Sequence, residues 1–370
     1  MTASRVLSLF LELAALPSPS GEERAVADRV TGYLRELGLE VDEDDAGPRI
    51  GSNAGNLFCR LEPTSPGTPL FLCAHLDTVP PEGPIAPVVE DGVIRNSAGT
   101  ILGADNKSAV AAMLEGVRRV VEENRPHAGL ELLFTQKEEV GLLGAGAFDH
   151  TRLRARVGYV YDQAGPIGEV ILGAPHARSM EVRFHGRAAH SGMAPEEGRS
   201  SIAAAARAIA DLRLGRLDEE TTANVGLIAG GSAANIVPEW CSFVAEARSQ
   251  DKEKLAALVQ EMLDAFTFAA GVEECEVETT VRKSFSGYRF RAADEPVRLA
   301  CAALEHCGYA PRLGYSGGGA DANVFNERGL ACVNLANGMA RIHTSDEHIA
   351  VADLHGMVRV TLALLDAARA

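Results

Sequence analysis

Short, nearly continuous apolar runs alternate with helical patterns through the first half of the chain. Residues 56–62 (NLFCRLE), 69–75 (PLFLCAH), 129–136 and 157–162 predict strands, and residues 107–123 carry the spacing of a helix. Runs with so little polar alternation predict strands buried on both faces beneath covering helices. Upstream, a Leu-rich stretch broken by Glu12 predicts an amphipathic helix. A second helix is predicted from a Ser20/Glu23 capping box, an apolar stripe of Ala25, Val30, Tyr33 and Leu34, and a stop at Gly38.

The pattern changes after about residue 176. Residues 180–190 and 241–249 alternate apolar with polar, and Cys241, Phe243, Ala245 and Ala247 fall on one face, as in an antiparallel sheet covered on one side. Amphipathic helices are predicted near 199–213 and 251–269. From about 291 the earlier pattern returns, with a helix over EPVRLACAALEHC, a Gly-rich SGGGADANVF, a strand at ACVNLA and a last helix over 351–368. The predicted architecture is α/β: a helix-covered mixed sheet from residues 1–177 and 290–370, with a smaller α+β domain, 178–289, inserted into it. Hinges are expected near 176–179 and 288–292.

Composition narrows the function. The 370 residues carry a net charge of −16 with 46% apolar positions, the balance of a globular enzyme. A surface so acidic repels phosphate backbones and anionic lipid, so no nucleic-acid partner is expected. No apolar run reaches the ~18 residues of a membrane span, and no membrane partner is expected either. Seven cysteines, an odd number without a CxxC pair, are expected to be reduced, which places the chain in the cytoplasm.

Acidic and histidine motifs follow the strand-like runs: AHLDTVP (His75, Asp77), GADNKSA (Asp105), TQKEEVG (Glu138, Glu139) and YDQAG (Asp162), with RIHTSDEH (His343) much later. Singly, each has an ordinary reading: a solvated Glu pair, a helix cap at Asp105, a strand-end cap at Asp162. Jointly they sit at the carboxyl ends of strands, where an α/β sheet collects its ligands. Two imidazoles and several carboxylates converging there repel one another unless divalent cations intervene. Two ions against the carboxylates of Asp105, Glu139 and Asp162 leave a residual charge of about +1, able to polarise a carbonyl and acidify a water. A carboxylate shared between two ions fits Asp105, and one of the adjacent glutamates is left as general base. Asp77 lies two residues past His75, placed to orient its ring.

These motifs resemble those of the co-catalytic di-zinc exopeptidases that include peptidase T, carboxypeptidase G and aminoacylase. The resemblance runs from about Ser18 to Val351. It implies that His75, Asp105, Glu139, Asp162 and His343 bind two divalent metal ions, zinc foremost, with cobalt or manganese as alternatives. Asp105 would bridge them and precede a cis peptide bond. Glu138 would be the general base, with Asp77 as orienting acid. The resemblance also makes 178–289 a lid and dimerisation domain, implying a homodimer. Within it, His190 in GRAAHSGMAP would stabilise the oxyanion, and Asn235 and Arg248 would hold substrate carboxylate or backbone. SGGGADANVF lacks the layout of a phosphate loop and reads as a close backbone approach to substrate. The implied activity is hydrolysis of short peptides by a metallopeptidase of the peptidase T, tripeptide aminopeptidase type. The alternative is a deacylase or carboxypeptidase acting on N-acyl amino acids at the same two-metal site.

Overall fold

The structure is a computed structural model that describes residues 4–369; the ends of the first predicted domain, residues 1–3 and 370, lie outside the described residues. The chain divides into two compact units, 1–173 with 289–370, and 174–288.

In the first unit a mixed nine-stranded sheet forms among the described residues. At its centre, Leu70–His75 pairs in parallel with Leu130–Thr135 on one side and Val157–Gln163 on the other. Ala331–Ala336 continues the parallel set beyond Val157–Gln163. Leu70–His75 and Leu130–Thr135 are buried along their whole length, which explains their unbroken apolar sequence. Register aligns His75 with Thr135, and so brings the loops after both strands to one edge. The helix Ala104–Glu122 packs against this sheet and against the final helix Val351–Ala367. Gly158 marks a close approach: a Cβ there would lie 2.2 Å from the Phe71 ring.

The second helix runs from Arg24 to Glu36 and buries Val26, Ala27, Val30 and Leu34; Ala25 faces solvent, so the apolar stripe is rotated from the predicted one. The predicted capping box is not formed. Ser20 instead donates to Asp77, and the Glu23 carboxylate accepts from the Gly21 and Lys137 N–H groups and the Ser52 hydroxyl. Both side chains are drawn toward the strand-end loops, which offer partners that a helix start cannot match. Gly38 does end the helix, in the left-handed region at φ 76°.

A small antiparallel sheet of Pro87–Glu90, Val93–Asn96 and His348–Ala350 was not expected from the sequence pattern. Its strands are three or four residues long, too short to show a period.

The second unit is a five-stranded antiparallel sheet in the order Gly215–Arg216, Thr221–Gly230, Trp240–Ser249, His176–His185, Glu276–Phe285. Cys241, Phe243, Ala245 and Ala247 form its buried face, against which Ser201–Asp211 and Lys252–Val272 pack. The strand predicted over 180–190 ends at His185, and at the next residue, Gly186, the Arg199 carbonyl comes too close to leave space for a Cβ. Lys252–Val272 is long and apolar enough to cross a bilayer, but its Leu255, Leu258, Met262 and Phe266 face is packed into this core.

Candidate metal centre

Parallel strands deliver the first ligands. His75 ends its strand with its ring buried, and its Nδ1 lies 2.9 Å from the Asp77 carbonyl oxygen and 3.4 Å from Asp77 Oδ1. Its Nε2 faces Asp105 Oδ1 at 3.1 Å and Asp162 Oδ1 at 3.5 Å. The other Asp105 oxygen, Oδ2, is 3.3 Å from His343 Nε2. His343 in turn lies 2.9 Å from Glu139 Oε2. Asp105 therefore stands between two imidazoles, each of which has a second carboxylate beside it. The Asp105–Asn106 peptide bond is cis.

The adjacent glutamates share His75 but differ otherwise: Glu139 reaches His343 and groups with His75 and Asp105, whereas Glu138 groups with His75 and Asp162. Asp77 sets the backbone of both: its Oδ1 accepts the Glu138 N–H at 2.9 Å and its Oδ2 the Glu139 N–H at 3.2 Å. Ser20 Oγ donates to Oδ2 at 2.6 Å. Asp77 thus does more than face His75; it holds the loop that presents both glutamates.

The electrostatics test whether this donor set suits cations. Burial disfavours charge on His75, yet Asp162 and Asp105 hold its pKa well above the ordinary value. Contacts with Asp105 and Glu139 raise His343 to about 10. Burial and the Asp162 charge push Glu138 well above the usual carboxylate range, and burial with the Asp105 charge does the same to Asp162. Asp105, between the two imidazoles, is held low against its burial. Four carboxylates and two imidazoles are thus packed so that neither full protonation nor full ionisation satisfies them. An oxygen-and-imidazole set in that condition fits divalent cations, and the ligand atoms of His75, Asp105 and Glu139, and of His75, Glu138 and Asp162, lie within 4.8 Å of one another.

Sequence reasoning missed the residues that hold this set. Glu347 is buried, and its Oε2 accepts the Leu102 and Gly103 N–H groups at 2.7 and 2.8 Å, while Oε1 accepts the Asp105 N–H at 2.9 Å. It stands four residues after His343, so it joins the loop of one ligand to the loop of another. Lys107, fully buried, donates through Nζ to the Leu16 carbonyl, and burial pulls its pKa down to about 7. Asn334 Oδ1 accepts the Asp162 N–H at 2.9 Å. RIHTSDEH contained Glu347 in plain view, but its partners lie more than 240 residues away, beyond any spacing argument.

The remaining predicted site residues lie in the second unit. His190 and Asn235 are exposed neighbours: His190 bridges to Ile236, and the Ser191 N–H donates to the Asn235 carbonyl at 3.0 Å. Arg248, on the strand Trp240–Ser249, is apart from them, with a guanidinium donor 3.0 Å from Glu246 and its fork 5.8 Å from the Phe285 ring centre. All seven cysteines are unpaired.

Known proteins share this plan. A peptidase dimerisation domain model matches residues 173–274 and a peptidase family M28 model matches 56–195. The chain is 38% identical to the uncharacterized protein YqjE of Bacillus subtilis over 98% of both chains. It is 39% identical to the crystal structure of aminopeptidase PepT from Bacillus cereus, covering 98% of each chain with a TM-score of 0.89. A tripeptidase structure from Staphylococcus aureus matches at 35% identity and TM-score 0.93, covering 98% of this chain and 97% of that one.

Proposed function

This chain belongs to the peptidase T-like family of co-catalytic metallopeptidases, and from that premise we propose that it is a tripeptide aminopeptidase working through two metal ions held by His75, Asp105, Glu139, Asp162 and His343. The observation that carries the reading is the position of Asp105, whose two oxygens face different imidazoles, each backed by its own carboxylate. We take the ions to be zinc, with cobalt or manganese as substitutes; such ions would polarise the scissile carbonyl and lower the pKa of an attacking water.

Glu138 would take the proton from that water and pass it to the leaving amine nitrogen, a role that suits a carboxyl with a raised proton affinity. Its burial and the neighbouring Asp162 charge support that role. Asp77 keeps Glu138 and Glu139 aimed through their backbone N–H groups and keeps the His75 ring in place. His190, Asn235 and Arg248 are carried as substrate-binding residues, supported by the family resemblance, with His190 donating to the oxyanion. We place the enzyme in the cytoplasm, in line with its unpaired thiols, and as a homodimer through 178–289, in line with the dimerisation-domain match and exposed Leu227 and Ile228.

The test is hydrolysis of a free tripeptide beside its N-acetylated twin by metal-reconstituted protein. Release of the first residue from the free peptide alone is expected. Cleavage of the acetylated peptide alone would move the assignment to a deacylase or carboxypeptidase. Glu138→Gln should retain the metals and lose turnover by orders of magnitude; near-normal turnover would remove Glu138 from the base role.

A further inference from the structure

A cavity of about 420 Å³ opens beside the ligand cluster, bounded by three stretches of the first unit around 79–82, 99–101 and 343–345. That volume suits a small ligand, within the usual ~300–1,000 Å³. His343 belongs to both the cavity wall and the ligand cluster, so an occupant of the cavity lies next to any carbonyl held at the cluster. Val79, Pro80 and Ile101 give the cavity apolar surface. Glu82 is its only carboxylate, and no Lys or Arg stands among the described residues that line it. The Glu82 N–H donates to Thr100 Oγ1 at 2.7 Å, which ties two of the three stretches together. Glu347 ties the 343–347 loop to Leu102, Gly103 and Asp105, just past the 99–101 stretch.

We propose that this cavity receives the first residue of the peptide and that the Glu82 carboxylate recognises its free α-ammonium group. The inference rests on the exopeptidase reading above and adds where the amine is read. When the first peptide bond is cut, the α-nitrogen lies only two bonds from the scissile carbonyl carbon, ~2.5 Å away. The amine must therefore sit against the wall that holds the carbonyl, and the His343 side of the cavity is that wall. A single carboxylate among apolar and hydroxyl groups favours a compact cation carrying a short side chain. An N-acyl group would lose that ion pair, and a carboxylate would meet like charge at Glu82. Because Glu82 is open to solvent, the pairing is partly screened, and its loss should cost about two- to fivefold in affinity.

The experiment measures binding by calorimetry in metal-loaded Glu138→Gln protein, which spares the peptide, with and without Glu82→Gln. The probes are Leu-Gly-Gly, N-acetyl-Leu-Gly-Gly and N-acetyl-Lys-Gly-Gly. The expected result is an about two- to fivefold weaker Kd for Leu-Gly-Gly on Glu82→Gln, with both acetylated peptides unchanged. Equal binding of Leu-Gly-Gly to the two proteins overturns the assignment. Weakening confined to N-acetyl-Lys-Gly-Gly also overturns it, because Glu82 would then read a side-chain ammonium. Hydrolysis of Leu-Gly-Gly by the wild-type protein is followed alongside. Its absence would sink the aminopeptidase reading, whereas active wild type with an indifferent Glu82→Gln sinks only the assignment of Glu82.

Discussion

Removing the Glu347 carboxylate should unlatch the two ligand loops from each other. Three backbone N–H groups, of Leu102, Gly103 and Asp105, donate to this one buried carboxylate within 2.9 Å. A hydrogen bond to a charged acceptor contributes ~1.5–3 kcal/mol net. The three share a single desolvation cost, visible as an upward shift of the Glu347 pKa caused first by burial, so the set is worth about 3–4 kcal/mol rather than the full sum. Glu347→Ala leaves all three donors buried without an acceptor and should lose that amount. Glu347→Gln keeps one oxygen for Leu102 and Gly103 but turns an amide toward the Asp105 N–H, and should lose about 1–2 kcal/mol. Urea unfolding measures both, and at ~2–4 °C per kcal/mol the alanine variant should melt roughly 6–16 °C lower. Because the Asp105 backbone loses its tether to the His343 loop, metal affinity should fall about 10–100-fold in the alanine variant. An alanine variant that unfolds within ~0.5 kcal/mol of wild type and titrates metal identically would refute the reasoning.

Other residues give independent checks. Asp77→Asn has a single oxygen for the two glutamate N–H groups, so kcat/KM should drop about 10–100-fold while the fold persists by circular dichroism; unchanged kinetics would detach Asp77 from the Glu138–Glu139 loop. Gly158→Ala would drive a methyl into the Phe71 ring, and should cost about 2–3 kcal/mol in urea unfolding; a neutral result would mean that the ring has room to move. Asp321 is buried, and that burial raises its carboxyl to about 6 against hydrogen bonds from Thr135 and Cys73. The folded state thus keeps this proton to higher pH than the unfolded chain, so the group's contribution is largest at low pH and declines as pH rises through about 6. In chelated protein, wild type should therefore lose about 1 kcal/mol more than Asp321→Asn between pH 5 and 8, and parallel pH profiles of the two would exclude a raised pKa.

Much of the molecule was legible beforehand because burial on both faces of a sheet writes itself into sequence as unbroken apolar runs. Leu70–His75, Leu130–Thr135 and Val157–Gln163 each appeared within a residue or two of their predicted limits. The capping box at Ser20 and Glu23 failed for an instructive reason. Local pattern gave both side chains a helix end, but Asp77, Ser52 and Lys137 offered partners from distant parts of the chain. The short strands Pro87–Glu90 and His348–Ala350 left no periodic trace: the first is made by a tight pairing with Val93–Asn96, and the second by pairing with that same strand from about 255 residues away.

The sequence by itself determined the chemical inventory: histidines and carboxylates placed at the ends of apolar runs, a chain able to bury two cores, and a net charge of −16. It could not decide between Glu138 and Glu139, because adjacent residues of one type are equivalent to any spacing argument. In the folded chain their surroundings differ: Glu139 meets His343, and Glu138 groups with His75 and Asp162. Only the fold, likewise, could make Glu347 the latch of the Asp105 loop and set Glu82 on the rim of a cavity beside His343. Those roles depend on which backbone donors and which walls meet in space, and the parallel register of the sheet, not the order of residues, brings them together.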